Sequence, residues 1–192
     1  ERQLVTQKIS ELLNDMIRDN GADKIGCLIS ARSTNEELFL FQKLARGLGI
    51  KNIDHRTNEC DFSYQDNYPV MPSVGCDISD LDSFDNIILI GVNIKSEFPI
   101  LSVRLNQAVK KGTKIYSINF DSSSEDFPLF FKKTVNNKDL VTFFINEKTT
   151  LNFNKDQKTL VINGPAISRL SNQSDVLSII HKYCLSIKAT LG

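Results

Sequence analysis

Two stretches of this sequence stand where a phosphate-binding turn would sit, and the second has a glycine and an asparagine that could form an anion-binding turn. One runs Ser30-Ala31-Arg32-Ser33-Thr34-Asn35, and the other runs Gly91-Val92-Asn93-Ile94-Lys95-Ser96-Glu97. Each follows an apolar run and precedes a helical pattern. Such a turn sets backbone N–H groups and a helix N-terminus at the end of a strand, where phosphates bind. Asn93 would supply a polar side chain, and Gly91 would let the backbone approach closely. Neither turn has the G-x-G-x-x-G spacing of a dinucleotide fold, the first has no glycine, and no P-loop lysine motif is present. The plainer expectation is two β-to-α turns, with Gly91 serving tight packing and no cofactor held by this chain.

Other reactive residue types are dispersed. Cys27, Cys60, Cys76 and Cys184 include no CxxC pair, and only His55 and His181 could assist them. Structural zinc and iron–sulfur sites need ligands at close spacing, so no metal site is expected. The cysteines read as isolated reduced thiols, Cys27 and Cys184 as small buried hydrophobes. No G-x-S-x-G elbow occurs. Asp54 and His55 are adjacent in a strand pattern and would point to opposite faces, so His55 reads as structural or partner-facing. Asp80, Asp82 and Asp85 lack the Gly and terminal Glu of a calcium loop and read as a solvated helix start. No catalytic residue is identified. Arg46 and Arg56 are expected to fix the following loop by pairing with its acids.

Composition narrows the function classes. The 192 residues carry 23 Lys plus Arg against 23 Asp plus Glu. A protein that neutralises many phosphates shows a basic excess, so nucleic acid is not an expected partner. The longest apolar run, Ile87 to Val92, is too short to span a bilayer, and no direct membrane insertion is expected. The chain starts at Glu1 without a signal pattern and is read as a fragment.

The elements that would position the two turns follow from hydrophobic period. Leu4 to Asp19 is a helix closed by Asn20-Gly21. Lys24 to Ser30 is a short strand. A helix follows with Thr34 as N-cap and Glu37 as its capping-box partner, ending at Gly47 and Gly49. Ile50 to Arg56 is a second strand. Residues 57–83 have no clean period and read as a long irregular loop with room for a short helix. Asn86 to Asn93 is a buried strand, Pro99 to Lys111 a helix and Lys114 to Asn119 a strand. Asp121 to Glu125 is a turn, and Leu129 to Val135 is ambiguous. Val141 to Asn146 is a short strand or a helix end, Lys158 to Asn163 a strand, and Ser174 to about Lys188 a helix. This alternation predicts an α/β fold, a parallel Rossmann-like sheet with helices on both faces. It forms a single α/β domain over 1–192, or a fragment of a larger region.

The stretch Ser30-Ala31-Arg32-Ser33-Thr34-Asn35-Glu36-Glu37-Leu38, running on through Gln42-Lys43-Leu44-Ala45-Arg46-Gly47-Leu48-Gly49 to Asn52-Ile53-Asp54-His55-Arg56 and Asp61-Phe62, resembles the molybdopterin oxidoreductase superfamily. The stretch Ile90 to Leu101, with Arg104, Ala108 and Lys111-Gly112, resembles that superfamily's second βα unit. The specific likeness is to the cluster-bearing peripheral-arm subunit family of bacterial NADH-quinone oxidoreductase, respiratory complex I. It rests on Ile53-Asp54-His55-Arg56 and Lys95-Ser96-Glu97. Ile94 stands where molybdenum enzymes usually have a proline after G-x-N. The resemblance implies a formate-dehydrogenase-like α/β domain that has lost its cofactor and serves as a structural part of the peripheral arm carrying electrons from NADH to quinone. It further implies iron–sulfur clusters in an N-terminal region outside these residues and other peripheral-arm subunits as partners. The expected location is the cytoplasmic side of the bacterial inner membrane. Two alternatives stay open: a fragment of a molybdopterin-dependent enzyme, with Ser30, Ser33, Gly91 and Asn93 touching the cofactor nucleotide, and a non-redox interaction module.

Overall fold

The computed structural model describes residues 2–56, 59–63, 65–67, 73–122, 124–146, 151, 153 and 156–192. The chain divides into two compact units, Glu1–Thr57 and Asn58–Gly192.

The first unit contains α1 (Arg2–Asn20), a 3-10 turn (Ala22–Lys24), β1 (Gly26–Leu28), α2 (Asn35–Gly47) and β2 (Asn52–Asp54). β1 and β2 pair in parallel with Cys27 opposite Ile53, so β1, α2 and β2 form one βαβ crossover. The capping box is formed: Thr34 Oγ1 accepts from the Glu37 N–H at 3.2 Å, and the Glu37 carboxylate accepts from the Thr34 N–H at 2.9 Å. Ala45 and Ile50 are its buried apolar side chains. Cys27 is only half-buried, a correction to its expected burial. Its strand is three residues long, and Gly26 and Leu28 on either side are exposed. α1 buries no residue, and its stripe Leu4, Val5, Ile9, Leu12 and Met16 is exposed.

The second unit carries the main sheet. Its elements are 3-10 turns at Gln65–Asn67 and Ile78–Ser83, β3 (Asn86–Ile90), α3 (Ile94–Glu97), α4 (Pro99–Lys110), β4 (Lys114–Asn119), β5 (Phe131–Thr134), α5 (Leu140–Asn146), β6 (Thr159–Asn163), a 3-10 turn at Ile167–Arg169, α6 (Gln173–Ile187) and β7 (Thr190–Leu191). The five strands are parallel in the order β5-β4-β3-β6-β7. β3 is central, and its Ile87-Ile88-Leu89-Ile90 run is fully buried because both faces are covered. Alternate residues serve opposite faces. Ile88 and Ile90 pack with Tyr116, Val161, Phe144, Ile180 and Cys184. Ile87 and Leu89 pack with Ile115, Leu160, Leu101, Leu105 and Leu81. α5 and α6 thus cover one face, and α4 with the 78–83 turn covers the other.

Several ambiguous segments resolve here. Residues 140–146 are helical, and the ambiguous 129–135 stretch holds the edge strand β5. Lys132 and Lys133 on β5 suit an exposed edge. The 86–112 unit has two helices rather than one, because the residue before a proline is pushed out of the helical region. Phe98, which precedes Pro99, sits at φ −138°, ψ 66° and separates α3 from α4. The two-residue β7 is not anticipated by any hydrophobic pattern. Within 57–83, residues 57, 58, 64 and 68–72 lie outside the described residues. Among the described residues, no helix is long and apolar enough to cross a membrane.

Candidate functional site

In an open parallel sheet a ligand binds outside the carboxyl ends of the strands, where the chain's direction of progress across the sheet reverses. In the second unit that point lies between β3 and β6. The chain moves from β3 to β4 and β5 on one side, then returns to β6 on the other. Gly91, Val92 and Asn93 follow β3 there, and Asn163, Gly164 and Pro165 follow β6.

The turns after β3 and β6 are joined by backbone bonds. The Gly164 N–H donates to the Ile90 carbonyl at 2.8 Å, and the Ala166 N–H donates to the Gly91 carbonyl at 3.2 Å. A Cβ on Gly164 would overlap the Gly91 carbonyl oxygen and lie 2.5 Å from Val92 Cα. Gly91 adopts φ 62°, and a Cβ there would meet Ile167 Cγ1 at 2.9 Å and Phe120 at 3.2 Å. Both its backbone conformation and its neighbours therefore require glycine.

The polar groups of the turn are engaged internally. The Gly91 N–H donates to the Ile118 carbonyl at 3.0 Å. Asn119, buried at the end of β4, clamps Val92: its Oδ1 accepts from the Val92 N–H at 2.8 Å, and its Nδ2 donates to the Val92 carbonyl at 2.9 Å. Asn93 Oδ1 accepts from the Ser96 N–H at 3.2 Å. The Glu97 carboxylate accepts from the Asn93 N–H at 2.9 Å. Ile94, at the position that departs from the usual proline, is fully buried and packs in the α4-side core.

Ser30 and Ser33 lie in the first unit, so the four candidate cofactor-binding residues fall on two separate units and each turn is taken by itself. Ser30 Oγ accepts from the Arg32 N–H at 3.2 Å, and the Ser30 carbonyl accepts from the Ser33 N–H at 3.1 Å. Ser33 lines an open groove of about 430 Å³ with Glu37, Ile29, Leu40, Phe41 and Leu44. A groove that is apolar apart from a hydroxyl and a carboxylate is a poor seat for a phosphate.

The remaining candidates have local roles. Asp54 Oδ1 accepts from the N–H groups of His55 (2.7 Å) and Arg56 (3.0 Å) and from Arg56 Nε at 3.4 Å. These bonds hold its carboxyl below the usual range, and His55 is exposed on the turn. Arg46 donates to the Lys51 carbonyl at 3.3 Å rather than to a loop acid. The acidic triplet disperses: Asp82 pairs with Lys111, and Asp85 accepts from the Lys158 N–H at 2.8 Å. Among the described residues, no group of three or more His, Cys, Asp and Glu is placed to hold a metal ion. Cys60 is exposed and Cys76 half-buried. Cys184 is buried, and burial pushes its thiol up to about 12.

The bonded donors of both turns weigh against a cofactor nucleotide seated there as folded. Its phosphates need free N–H donors and a positive or neutral surround. Here the donors named above are bonded within the chain, and both helix starts carry a carboxylate, Glu37 on α2 and Glu97 on α3. One observation points the other way: the side-chain oxygen of Asn163, at the end of β6, is buried with no hydrogen-bond partner among the described residues.

Known proteins share this sequence pattern. A family model described as molybdopterin oxidoreductase matches residues 5–191. "Probable oxidoreductase YjgC" of Bacillus subtilis is 32% identical over 117 residues, covering 58% of this chain and 12% of that protein. "F420-dependent formate dehydrogenase 1 subunit alpha" of Methanococcus maripaludis is 31% identical over 113 residues, covering 57% of this chain and 17% of that protein. "F420-dependent formate dehydrogenase subunit alpha" of Methanocaldococcus jannaschii is 34% identical over 101 residues, covering 50% of this chain and 15% of that protein. The chain thus spans less than a fifth of these relatives, and their names refer to formate dehydrogenases and an oxidoreductase rather than to a component of complex I.

Proposed function

The chain belongs to the molybdopterin oxidoreductase family, and from that premise we propose that it is a structural α/β region of an electron-transferring oxidoreductase, of the kind found in the peripheral arm of complex I. In this reading the fold's nucleotide seat is closed. The region covers and positions the cluster-bearing part of its protein and faces other peripheral-arm subunits on the cytoplasmic side of the inner membrane. The iron–sulfur clusters belong to segments outside this chain.

The observation that carries the reading is the backbone closure between Gly91 and Gly164, with Asn119 and Glu97 taking the turn's donors. The buried Ile94 agrees with it. So does the Asn52-to-Arg56 motif, whose Asp54 is spent on ordering its own turn.

A second reading is a pterin-holding enzyme of the formate dehydrogenase kind. The unpartnered oxygen of Asn163 at the switch point favours it, as do the names of the relatives above. In that case the turn at 91–97 opens to admit the cofactor nucleotide.

Metal content separates the two. Full-length protein, purified gently from its own organism with its associated subunits, is assayed for molybdenum, tungsten and iron and for NADH-dependent quinone reduction. The structural reading expects iron, no molybdenum or tungsten above trace, and a co-purifying flavoprotein with that activity. Stoichiometric molybdenum or tungsten would overturn it and make Gly91 to Glu97 a cofactor site.

A further inference from the structure

The segment joining β4 to β5 crosses the same end of the sheet. Phe120 packs against Gly91, and Phe127 is buried in the α4-side core with Val92 and Ile94. Asp126 binds Lys95 of α3 at 2.5 Å, and Lys132 Nζ donates to the Ser122 carbonyl at 3.2 Å. Residues 120–122 and 124–127 therefore form a strap anchored at both ends over the β3–α3 turn. Inside it is an anomaly. Both carboxylate oxygens of Glu125 are buried, and neither has a hydrogen-bond partner among the described residues.

We propose that Glu125 is a proton-operated latch: the strap stays closed over the turn while Glu125 is neutral and loosens when Glu125 ionises. A sealed carboxylate without donors favours its neutral form, because ionisation without compensation is costly in a low-dielectric site. Burial pushes its titration upward. Asp126 and Asp121 on its own segment add to that, while Lys132 of β5 and Lys95 of α3 oppose it. Both lysines have other contacts, Lys95 with Asp126 and Lys132 with Ser122. For Glu125 to gain either as a partner, the strap must rearrange. The sign is fixed: closure is complete at low pH and is lost as pH rises through the raised value.

Hydrogen exchange read by mass spectrometry on the full chain tests this without activity, metal or cofactor. Glu125→Gln supplies a permanently neutral reference, so the ratio of wild-type to variant exchange cancels the intrinsic pH dependence. Peptides covering 120–127 are expected to exchange equally in the two proteins at the acid end of a series from pH 4 to pH 9. As the pH rises through the Glu125 titration the wild type is expected to exchange faster than the variant, by up to about tenfold for each pH unit past that point. The central strand 86–90 should show no such ratio. If Glu125→Gln does not fold, Glu125→Met serves as the neutral reference. A wild-type ratio on 120–127 that stays constant across the whole series overturns the proposal. Because the readout is local exchange, it succeeds or fails independently of the metal analysis above.

Discussion

Replacing Gly164 by alanine puts the closed crevice to a quantitative test. Gly164 is not in a left-handed conformation, so alanine is acceptable to the local backbone. The cost comes entirely from where the new methyl lands. It overlaps the Gly91 carbonyl oxygen and lies 2.5 Å from Val92 Cα, and neither is a flexible side-chain end that can rotate away. Forcing an added methyl into a packed site costs about 1–3 kcal/mol. The displaced turn also strains the Gly164-to-Ile90 and Ala166-to-Gly91 bonds, each worth about 0.5–1.5 kcal/mol. A net loss of about 3 kcal/mol follows.

Urea unfolding followed by tyrosine fluorescence isolates the effect. All four tyrosines lie after residue 57, and Tyr116 and Tyr183 sit in the second unit's core. With a urea slope of about 1.5–2 kcal/mol/M, the midpoint of that unit should fall by about 1.5–2 M. Gly47→Ala is a control outside that unit. A Cβ there meets nothing within 4 Å, and Gly47 lies in the first unit, so the tyrosine-detected midpoint of the second unit should stay unchanged. A Gly164→Ala midpoint within error of wild type would refute the backbone closure, and with it the main support for a seat that holds no nucleotide.

Three further substitutions probe the same frame. Asn119→Asp replaces a donor facing the Val92 carbonyl with an acceptor, and thermal unfolding should show a loss of about 2–4 kcal/mol; an unchanged Tm would contradict the clamp. Tyr183→Phe removes the buried bond from Tyr183 to the Leu151 carbonyl, 2.7 Å long, and should cost about 1–2 kcal/mol in urea unfolding. Asp61 accepts from the N–H groups of Ser174 and Ser63, which hold its carboxyl well below the usual range. Its stabilising share is therefore present above the unfolded-state value and lost as pH falls toward the folded one. Asp61→Asn should make acid unfolding of the second unit less steep, and an identical acid profile would count against the tether.

What was legible in the sequence depended on how local each signal was. The Thr34–Glu37 capping box spans three residues and forms as expected, as does the fully buried β3 run. Pro99 opens its helix where expected, whereas α3 has only four residues, too few to show a helical period. Gly164 falls just past the predicted strand Lys158 to Asn163 and carries no local signal, because its function depends on Gly91, a distant residue in sequence that the sheet order brings alongside. Asn119 looked like an ordinary strand terminus for the same reason. Its one signal was an amide at the end of the strand. Glu125 read as a polar turn residue, since nothing nearby in sequence announces that its carboxylate oxygens will be buried. β7 is too short to have a period at all.

The G-x-N turn at 91–93 shows why a family motif is weak evidence for a ligand. Gly91 is required by φ 62° and by the closeness of Ile167 and Phe120, whether or not a nucleotide is bound. Asn93 is required as the cap of α3, which leaves the Ser96 N–H unsatisfied without it. Both residues would therefore persist on folding grounds after a cofactor had gone. The informative positions are those a cofactor would have to displace: the Glu97 carboxylate on the Asn93 N–H and the Asn119 amide on Val92. An anion-binding turn gains nothing from a carboxylate at its donor end, because the negative charge occupies the same partial positive field that a phosphate would use. A chain that spends Glu97 there has stabilised the start of its helix with its own charge. That choice is compatible with a scaffold and works against a phosphate seat.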